Sequence, residues 1–177
     1  MSRMRLATVW LDGCSGCHMS LLDMDERLIE LAGQLELVYS PLVDVKEFPE
    51  QVDVTLVEGA VGTEEDEEKL RHIRARTRVL VALGDCAVTA NVPAMRNPFG
   101  PAAALARAYQ ENATRNAGAP QNEVPRLQAR VRPLHEVVPV DVFVPGCPPS
   151  ADVIYYVLQE LLAGRTPDLT GRSRFGA

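Results

Sequence analysis

The chain has 177 residues, a formal net charge of −6 and an apolar residue fraction of 46%. This length and apolar content are typical of a globular protein, so we expect residues 1–177 to form a single domain. The negative charge and the lack of a basic patch with interleaved aromatic residues argue against nucleic-acid binding. Because we find no export signal and no apolar run that could span a membrane, we expect a cytoplasmic protein.

Apolar runs and helical periods alternate in the first part of the chain. A buried strand is predicted over residues 5–11, and an amphipathic helix over residues 18–32 follows the Asp12-Gly13 turn. Two further strands are predicted over residues 35–39 and 52–57. This pattern is typical of consecutive strand–helix units.

The same alternation continues to the end of the sequence. Thr63 is the predicted N-cap of a helix whose first turns are acidic and whose later turns carry arginines, a polarity that matches the helix dipole. Strands are predicted over residues 78–83 and 140–144, and a last helix starts after Ser150 and ends at Gly164. Such alternation predicts an α/β fold in which helices cover both faces of a parallel sheet.

A long segment separates the fourth and fifth predicted strands. Within it, residues 101–112 are predicted to form a helix, whereas residues 115–136 are polar, irregular and interrupted by prolines. Long segments without secondary structure are uncommon in compact domains and are usually functional or flexible. We therefore predict that residues 92–136 are a partner-docking insertion, with a mobile surface excursion as the alternative, and that residues 165–177 form a tail.

The four cysteines are the most informative residues of the chain. Cys14 and Cys17 form a C-x-x-C pair after the first predicted strand, and Cys86 and Cys147 each follow a later strand. Ligand-binding groups of parallel sheets gather outside the carboxyl ends of the strands, so we expect all four thiols at one edge. A close pair completed by two distant cysteines suits one metal centre, and a four-cysteine iron–sulfur cluster is our first interpretation.

Two other uses of the cysteines stay open at this point. Structural zinc also binds four cysteines, but zinc ribbons and fingers usually draw their second pair from another short motif. Here Cys86 and Cys147 are single, far apart and embedded in loops rich in Gly and Pro. Two disulfides are possible by count, although a cytosolic thiol quartet is more often metal-binding. The spacing favours a cluster over zinc, and zinc over disulfides, without deciding between them.

Four sequence motifs resemble those of a known protein family. In chain order they are Gly13-Cys14-Ser15-Gly16-Cys17-His18-Met19-Ser20, Leu56-Val57-Glu58-Gly59, Gly84-Asp85-Cys86 and Val144-Pro145-Gly146-Cys147-Pro148-Pro149. They are similar to the small subunit of [NiFe] hydrogenases, and specifically to the short small subunit of the cytoplasmic NAD-reducing type. The resemblance covers residues 5 to about 164. In a related respiratory-complex subunit the first two cysteines are adjacent, whereas Ser15-Gly16 separate them here, which favours a hydrogenase.

This resemblance implies a flavodoxin-like three-layer fold with a parallel sheet and an iron–sulfur site at the C-terminal edge of the strands. Cys14, Cys17, Cys86 and Cys147 match the family's ligands of one proximal [4Fe-4S] cluster. Longer relatives carry further cysteines for additional clusters, and the four cysteines of this sequence suffice for one cluster. No catalytic residue is expected on this chain.

The resemblance also implies partners for the chain. A large subunit with a nickel–iron centre would oxidise H₂, and this chain would relay the electrons to diaphorase subunits with FMN and further clusters, which reduce NAD. We expect no hydrogen dehydrogenase activity from the chain alone. The alternatives are the small subunit of another cytoplasmic [NiFe] hydrogenase, or a related respiratory-complex module with a different acceptor.

Two side chains near the cysteines are further candidates for the site. Glu58 ends the third predicted strand, and the simple interpretation is that it is a loop or cap carboxylate. In the resembled family, a glutamate in this V-E-G context lies beside the cluster, where it can relay a proton. His18 either opens the helix or donates to the cluster site. Asp12 and Asp85, which precede ligands, are predicted to shape turns.

Two other classes of protein remain as hypotheses. An FMN-binding flavodoxin-type protein needs a phosphate loop rich in Ser, Thr and Gly after the first strand. Cys14 and Cys17 occupy that loop, so FMN is not expected on this chain. A zinc-stapled scaffold without redox function would use the same four cysteines and would be colourless.

Overall fold

The computed structural model describes residues 3–176. The strands of this part are β1 (Met4–Trp10), β2 (Leu35–Tyr39), β3 (Val52–Glu58), β4 (Val61–Thr63), β5 (Thr77–Leu83), β6 (Leu127–Arg132) and β7 (Val142–Val144). The α-helices are α1 (Gly16–Leu22), α2 (Glu26–Ala32), α3 (Glu64–Arg76), α4 (Asp85–Thr89), α5 (Gly100–Ala106) and α6 (Ala151–Leu162). No helix within residues 3–176 is long and apolar enough to cross a membrane.

Five parallel strands form the main sheet, in the order β2-β1-β3-β5-β7. This is the strand order of flavodoxin-like doubly wound folds, and it confirms the predicted fold class. Alternate residues of a strand point to opposite faces: Leu56 of β3 packs in one apolar cluster with α1 and α6, and Val57 packs in a second cluster with α3. The protein therefore has a core on each face of the sheet.

The predicted helix over residues 18–32 was wrong in its continuity. The structure has two helices, α1 and α2, separated at Asp23–Asp25, where Asp25 adopts a φ of 49°. Asp tolerates positive φ better than most residues and favours turns over helix interiors, and this local preference interrupts the helix. Ile29, an apolar residue of α2, is 76% exposed, so the apolar residues of the predicted helix do not all face the core.

The insertion contains more structure than the sequence indicates. The predicted helix is present as α5 followed by one π-helical turn, Arg107–Glu111. The expectation of an irregular segment was wrong for β6, which pairs antiparallel with β4. Only Val131 of β6 is fully buried, and its backbone exchanges two hydrogen bonds with the Asn97 side chain, at 2.8 and 2.9 Å. Because β6 buries so little apolar surface, its sequence is as polar as that of a loop, and the strand is not recognisable from the sequence.

The predicted caps are present at the long helices. Thr63 Oγ1 accepts a hydrogen bond from the Asp66 amide at 3.0 Å, and Asp66 in turn accepts from the Thr63 amide at 2.9 Å. Ser150 Oγ accepts from the Val153 amide at 3.3 Å. These caps fix the starts of α3 and α6 next to the carboxyl edge of the sheet.

Candidate metal centre

The carboxyl ends of four neighbouring strands lie in one row. Cross-strand pairing joins Trp10 to Glu58, Glu58 to Leu83, and Leu83 to Val144. The chain leaves β1 toward the C-x-x-C pair, β5 toward Cys86 and β7 toward Cys147. The register of the sheet therefore brings the segments that carry all four cysteines to one edge.

Gly84 is the point at which three of these segments meet. Its φ is +84°, and a Cβ atom placed on it would collide with Cys17 Sγ. The same Cβ would lie 3.4 Å from the Gly146 carbonyl oxygen and 3.7 Å from Pro149 Cδ. Only a residue without a side chain allows the Cys17 thiol to pack against the turn that leads to Cys86, next to the loop that holds Cys147.

The four thiols differ in their exposure to solvent. Cys17 is buried, Cys86 is half-buried, and Cys14 and Cys147 are exposed; all four are free thiols. The Gly16 amide lies 3.4 Å from Cys14 Sγ, within hydrogen-bonding distance for sulfur. Asn91 Nδ2 lies 3.7 Å from Cys147 Sγ. The sequence analysis did not identify Asn91. The signal that could have identified it is its position just after the short helix α4, which contains Cys86.

Electrostatic interactions connect the thiols with one another and with a carboxylate. Burial raises the pKa of the Cys17 thiol, and the Glu58 carboxylate and the other three thiols raise it further. Burial also raises the pKa of Cys86 to about 11, which the Val92 amide opposes and Cys147 reinforces. A cationic centre bound between the cysteines would offset these effects and stabilise the thiolate forms of Cys17 and Cys86. This donor chemistry fits soft metals such as iron in a cluster or zinc.

The thiols do not form a preformed chelate for one ion. Within residues 3–176, no three His, Cys, Asp or Glu side chains lie close enough together to hold a single metal ion. Zinc requires its four sulfurs about 2.3 Å from one shared centre. Each cysteine of a four-iron cluster binds a different iron, so the sulfurs of a cluster site lie further apart.

Glu58 and His18 form a buried pair beside Cys17. Glu58 is 2% exposed and His18 is 4% exposed. Glu58 Oε1 lies 3.4 Å from the Cys17 amide nitrogen, and Oε2 accepts the His18 amide at 2.9 Å. The His18 ring nitrogen Nδ1 lies 2.5 Å from Oε2, while Nε2 is buried without a hydrogen-bond partner among the described residues. The structure thus brings together Cys17 and both additional candidates.

A family comparison and two curated relatives extend these observations. Residues 14–161 match the family described as "NADH ubiquinone oxidoreductase, 20 Kd subunit". The NAD-reducing hydrogenase HoxS subunit delta of Cupriavidus necator is 45% identical over 172 residues, which cover 94% of this chain and 82% of that protein. One subunit of the F420-non-reducing hydrogenase vhu of Methanocaldococcus jannaschii is 38% identical, with 93% of this chain and 58% of that protein covered. The chain thus spans little more than half of the archaeal relative.

Solved structures give a consistent result. A chain of a NAD⁺-reducing [NiFe]-hydrogenase in the H₂-reduced state superimposes with a TM-score of 0.93 at 39% identity, covering 98% of this chain and 99% of that chain. A [NiFeSe]-hydrogenase of Dm. baculatum gives a TM-score of 0.59 at 19% identity, covering 93% of this chain and 62% of that one. The second likeness concerns the fold alone.

Proposed function

Since this chain belongs to the family of the NADH ubiquinone oxidoreductase 20 Kd subunit, as a small subunit of a [NiFe] hydrogenase, we propose that it relays electrons through one [4Fe-4S] cluster. Cys14, Cys17, Cys86 and Cys147 would be the ligands. As a member of an oxidoreductase complex it is not catalytic alone. The observation that carries the proposal is the meeting of the cysteine segments around Gly84, at the edge of the sheet where α/β proteins bind ligands.

The polar groups around the thiols fit this role. When bound, the cluster supplies one-electron redox chemistry, with a potential set by its charge, burial and hydrogen bonds to sulfur. The Gly16 amide and the Asn91 side chain lie near the sulfurs of Cys14 and Cys147. Such donors stabilise negative charge on sulfur and favour the reduced state.

Glu58 and His18 are proposed to support the ligand Cys17. By bonding the Cys17 and His18 amides, Glu58 fixes the first turn of α1 against the end of β3. The His18 ring, held at Nδ1 by Glu58, keeps Nε2 available for a donor or acceptor that this chain does not supply within residues 3–176. A proton held between Glu58 Oε2 and His18 Nδ1 would be buried beside Cys17.

The proposed partners follow from the relatives. We propose that the nickel–iron centre lies on a large subunit, and that diaphorase subunits with FMN and further clusters pass electrons to NAD in the cytoplasm. The name of the Cupriavidus relative, a subunit of a NAD-reducing hydrogenase, supports NAD as the acceptor. FMN is not expected on this chain. For the large subunit, we propose a docking patch of three apolar side chains in the insertion, Val92, Met95 and Phe99, which are 59%, 69% and 74% exposed. The patch starts directly after Asn91.

Metal analysis of this chain, purified anaerobically with the large subunit alone, tests the proposal. Beyond the iron of the nickel–iron centre, we expect about four irons per copy of this chain, and a loss of this iron in Cys14→Ser and Cys147→Ser variants. Ser15→Ala, which changes the same loop without removing a thiol, is the matched control and should retain the iron. One zinc per chain, with no iron beyond that of the nickel–iron centre, would instead identify a structural metal site and would contradict the relay.

A further inference from the structure

Asp85 connects two segments that are distant in sequence. Its side chain is 4% exposed; Oδ1 accepts the Gly146 amide and Oδ2 accepts the Gly176 amide, both at 2.7 Å. The Asp85 amide in turn donates to the Gly146 carbonyl oxygen at 2.8 Å. A buried carboxylate is stable only when its oxygens are hydrogen-bonded, and here each oxygen takes a backbone donor from a different segment.

The predicted tail packs on the loop that carries Cys147. The Ser173 hydroxyl donates to the Pro145 carbonyl oxygen. The Arg172 guanidinium lies 4.1 Å from the centroid of the Tyr156 ring of α6, which holds the segment to the protein by a cation–π contact. Residues 171–174 line a cavity of about 410 Å³ together with Pro148, Pro149 and the start of α6. The tail, as far as Gly176, is therefore attached at several points.

The loop that carries Cys147 needs such support. It follows β7, which is three residues long, and Cys147 itself is exposed. Gly146 adopts a φ of +139°, and a Cβ there would come within 2.6 Å of the Pro149 backbone. This glycine conformation turns the Gly146 amide toward the Asp85 carboxylate. The bond therefore joins the residue directly before Cys147 to the residue directly before Cys86.

We propose that Asp85 and residues 171–176 form a clamp that fixes the backbone of Cys147 relative to that of Cys86. Asp85 is a positioning residue in this account, because it bonds to the loops of two thiols rather than to the thiols. The inference rests on the proposed function only in taking these two cysteines as ligands. The clamp keeps the distance between the two thiols constant, so that a metal centre bound there is retained and its potential is well defined.

The first test is hydrogen exchange of peptides spanning residues 144–149, measured by mass spectrometry on the full chain in its purified complex. Asp85→Asn keeps the side-chain shape but replaces one acceptor oxygen by an NH₂ group. This group faces a backbone N–H, so one of the two hydrogen bonds is lost. We expect at least tenfold faster exchange in this variant. Asp141→Asn is the matched control, since Asp141 also accepts a backbone amide, that of Leu80 at 2.7 Å, at the opposite end of β7 from the loop that carries Cys147. Equal protection in wild type and Asp85→Asn would overturn the clamp.

A second variant and two further measurements test the clamp independently of the first experiment. Deleting residues 171–177 removes the part of the tail that belongs to the clamp but leaves the Asp85–Gly146 contact, and should accelerate exchange less than Asp85→Asn does. In iron-loaded protein, Asp85→Asn should release iron to a chelator several times faster and shift the reduction potential to a more positive value, whereas Asp141→Asn should do neither. If both clamp variants match wild type in exchange, iron release and potential, the clamp is wrong.

The clamp and the relay can fail separately. Iron content of the wild type tests the relay, and exchange at residues 144–149 tests the clamp without requiring any metal. If the wild type binds no iron, but Asp85→Asn loses protection from hydrogen exchange relative to it, the clamp is supported and the proposed function is contradicted. A wild type with about four irons and unchanged exchange in Asp85→Asn would do the reverse.

Discussion

Glu58 bonds to His18 twice, because its Oε2 atom lies 2.9 Å from the His18 backbone nitrogen and 2.5 Å from the ring nitrogen Nδ1. Glu58 is the last residue of β3, which lies between β1 and β5 in the sheet, and His18 lies in the first turn of α1. This pair therefore attaches the helix that begins at the C-x-x-C motif to the middle of the sheet. It explains how Cys17, in the first turn of α1, is held beside the end of β3.

The Glu58→Gln variant should be measurably less stable. Glutamine retains the shape of the side chain, but one acceptor oxygen becomes an N–H₂ donor, so a buried N–H group of Cys17 or His18 loses its partner. We expect a decrease of about 2 kcal/mol in the free energy of unfolding, measured by denaturant titration. The exposed carboxylate Glu47 provides the control, and a Glu58→Gln chain that unfolds at the same denaturant concentration as Glu47→Gln would rule out this role.

Gly84→Ala should disrupt the meeting point of the cysteine segments. The new Cβ would collide with Cys17 Sγ, and a positive φ adds backbone strain, for a combined cost of roughly 3 kcal/mol. Gly100→Ala is a matched control, since Gly100 has a φ of +77° but no atom within 4 Å of an added Cβ. We expect iron loading to fall in Gly84→Ala alone, as measured by metal analysis. Equal iron content in the two variants would contradict the proposed geometry.

Glu67 gives the stability of the protein a defined pH dependence. Hydrogen bonds from Gln128, Arg71 and Arg132 hold the pKa of Glu67 down to about 2. A carboxyl whose pKa is lower in the folded protein stabilises it above the unfolded pKa of 4.5, and this contribution disappears as the pH falls toward 2.

We therefore expect Glu67→Gln to lower the free energy of unfolding by about 1 kcal/mol at pH 7, with the difference from wild type shrinking below pH 4.5. Thermal or denaturant unfolding across this range measures it. Glu65→Gln, on an exposed position of the same helix, is the reference substitution. A difference between wild type and Glu67→Gln that stays constant down to pH 2 would show that the ion pairs around Glu67 are not the cause.

The docking patch predicts a specific defect in assembly. A charge in the middle of an apolar interface is costly, so Phe99→Asp should weaken binding to the large subunit at least tenfold. Ile29→Asp is the matched control, because Ile29 is 76% exposed and Phe99 is 74% exposed. The affinity for the large subunit, measured by biolayer interferometry, or the yield of co-purification distinguishes Phe99→Asp from Ile29→Asp. Equal effects of both substitutions would remove the patch from the interface.

The sequence predicts the main sheet well because its strands are buried on both faces and appear as apolar runs. Val54, Leu56 and Val81 are examples, and each lies in the core. The break at Asp25 escaped prediction because one positive φ decides it, and the apolar period continues across it. β6 escaped prediction because, apart from Val131, no residue of the strand is fully buried.

Some residues of the candidate site could also be predicted from the sequence, whereas others could not. The cysteines are predictable, because thiols after three strands of a parallel sheet must converge at its carboxyl edge. Asp85 was expected only to shape a turn, and its bond to Gly176 spans 91 positions of the sequence. Nothing local in the sequence marks such a contact, since it depends on where the tail lies after folding. The family resemblance, rather than spacing, suggested Glu58 as part of the site, and its bond to His18, 40 positions away, was not predicted.

The most direct test of the account is the EPR spectrum of the purified complex before and after exposure to H₂ under anaerobic conditions. We predict that H₂ generates the signal of a reduced iron–sulfur cluster, and that Cys147→Ser in this chain abolishes that component while Ser15→Ala preserves it. Because the proposed diaphorase subunits would carry clusters of their own, the measurement is made on this chain with the large subunit alone. A complex that oxidises H₂ but shows the same spectrum in wild type and Cys147→Ser would contradict the proposed relay.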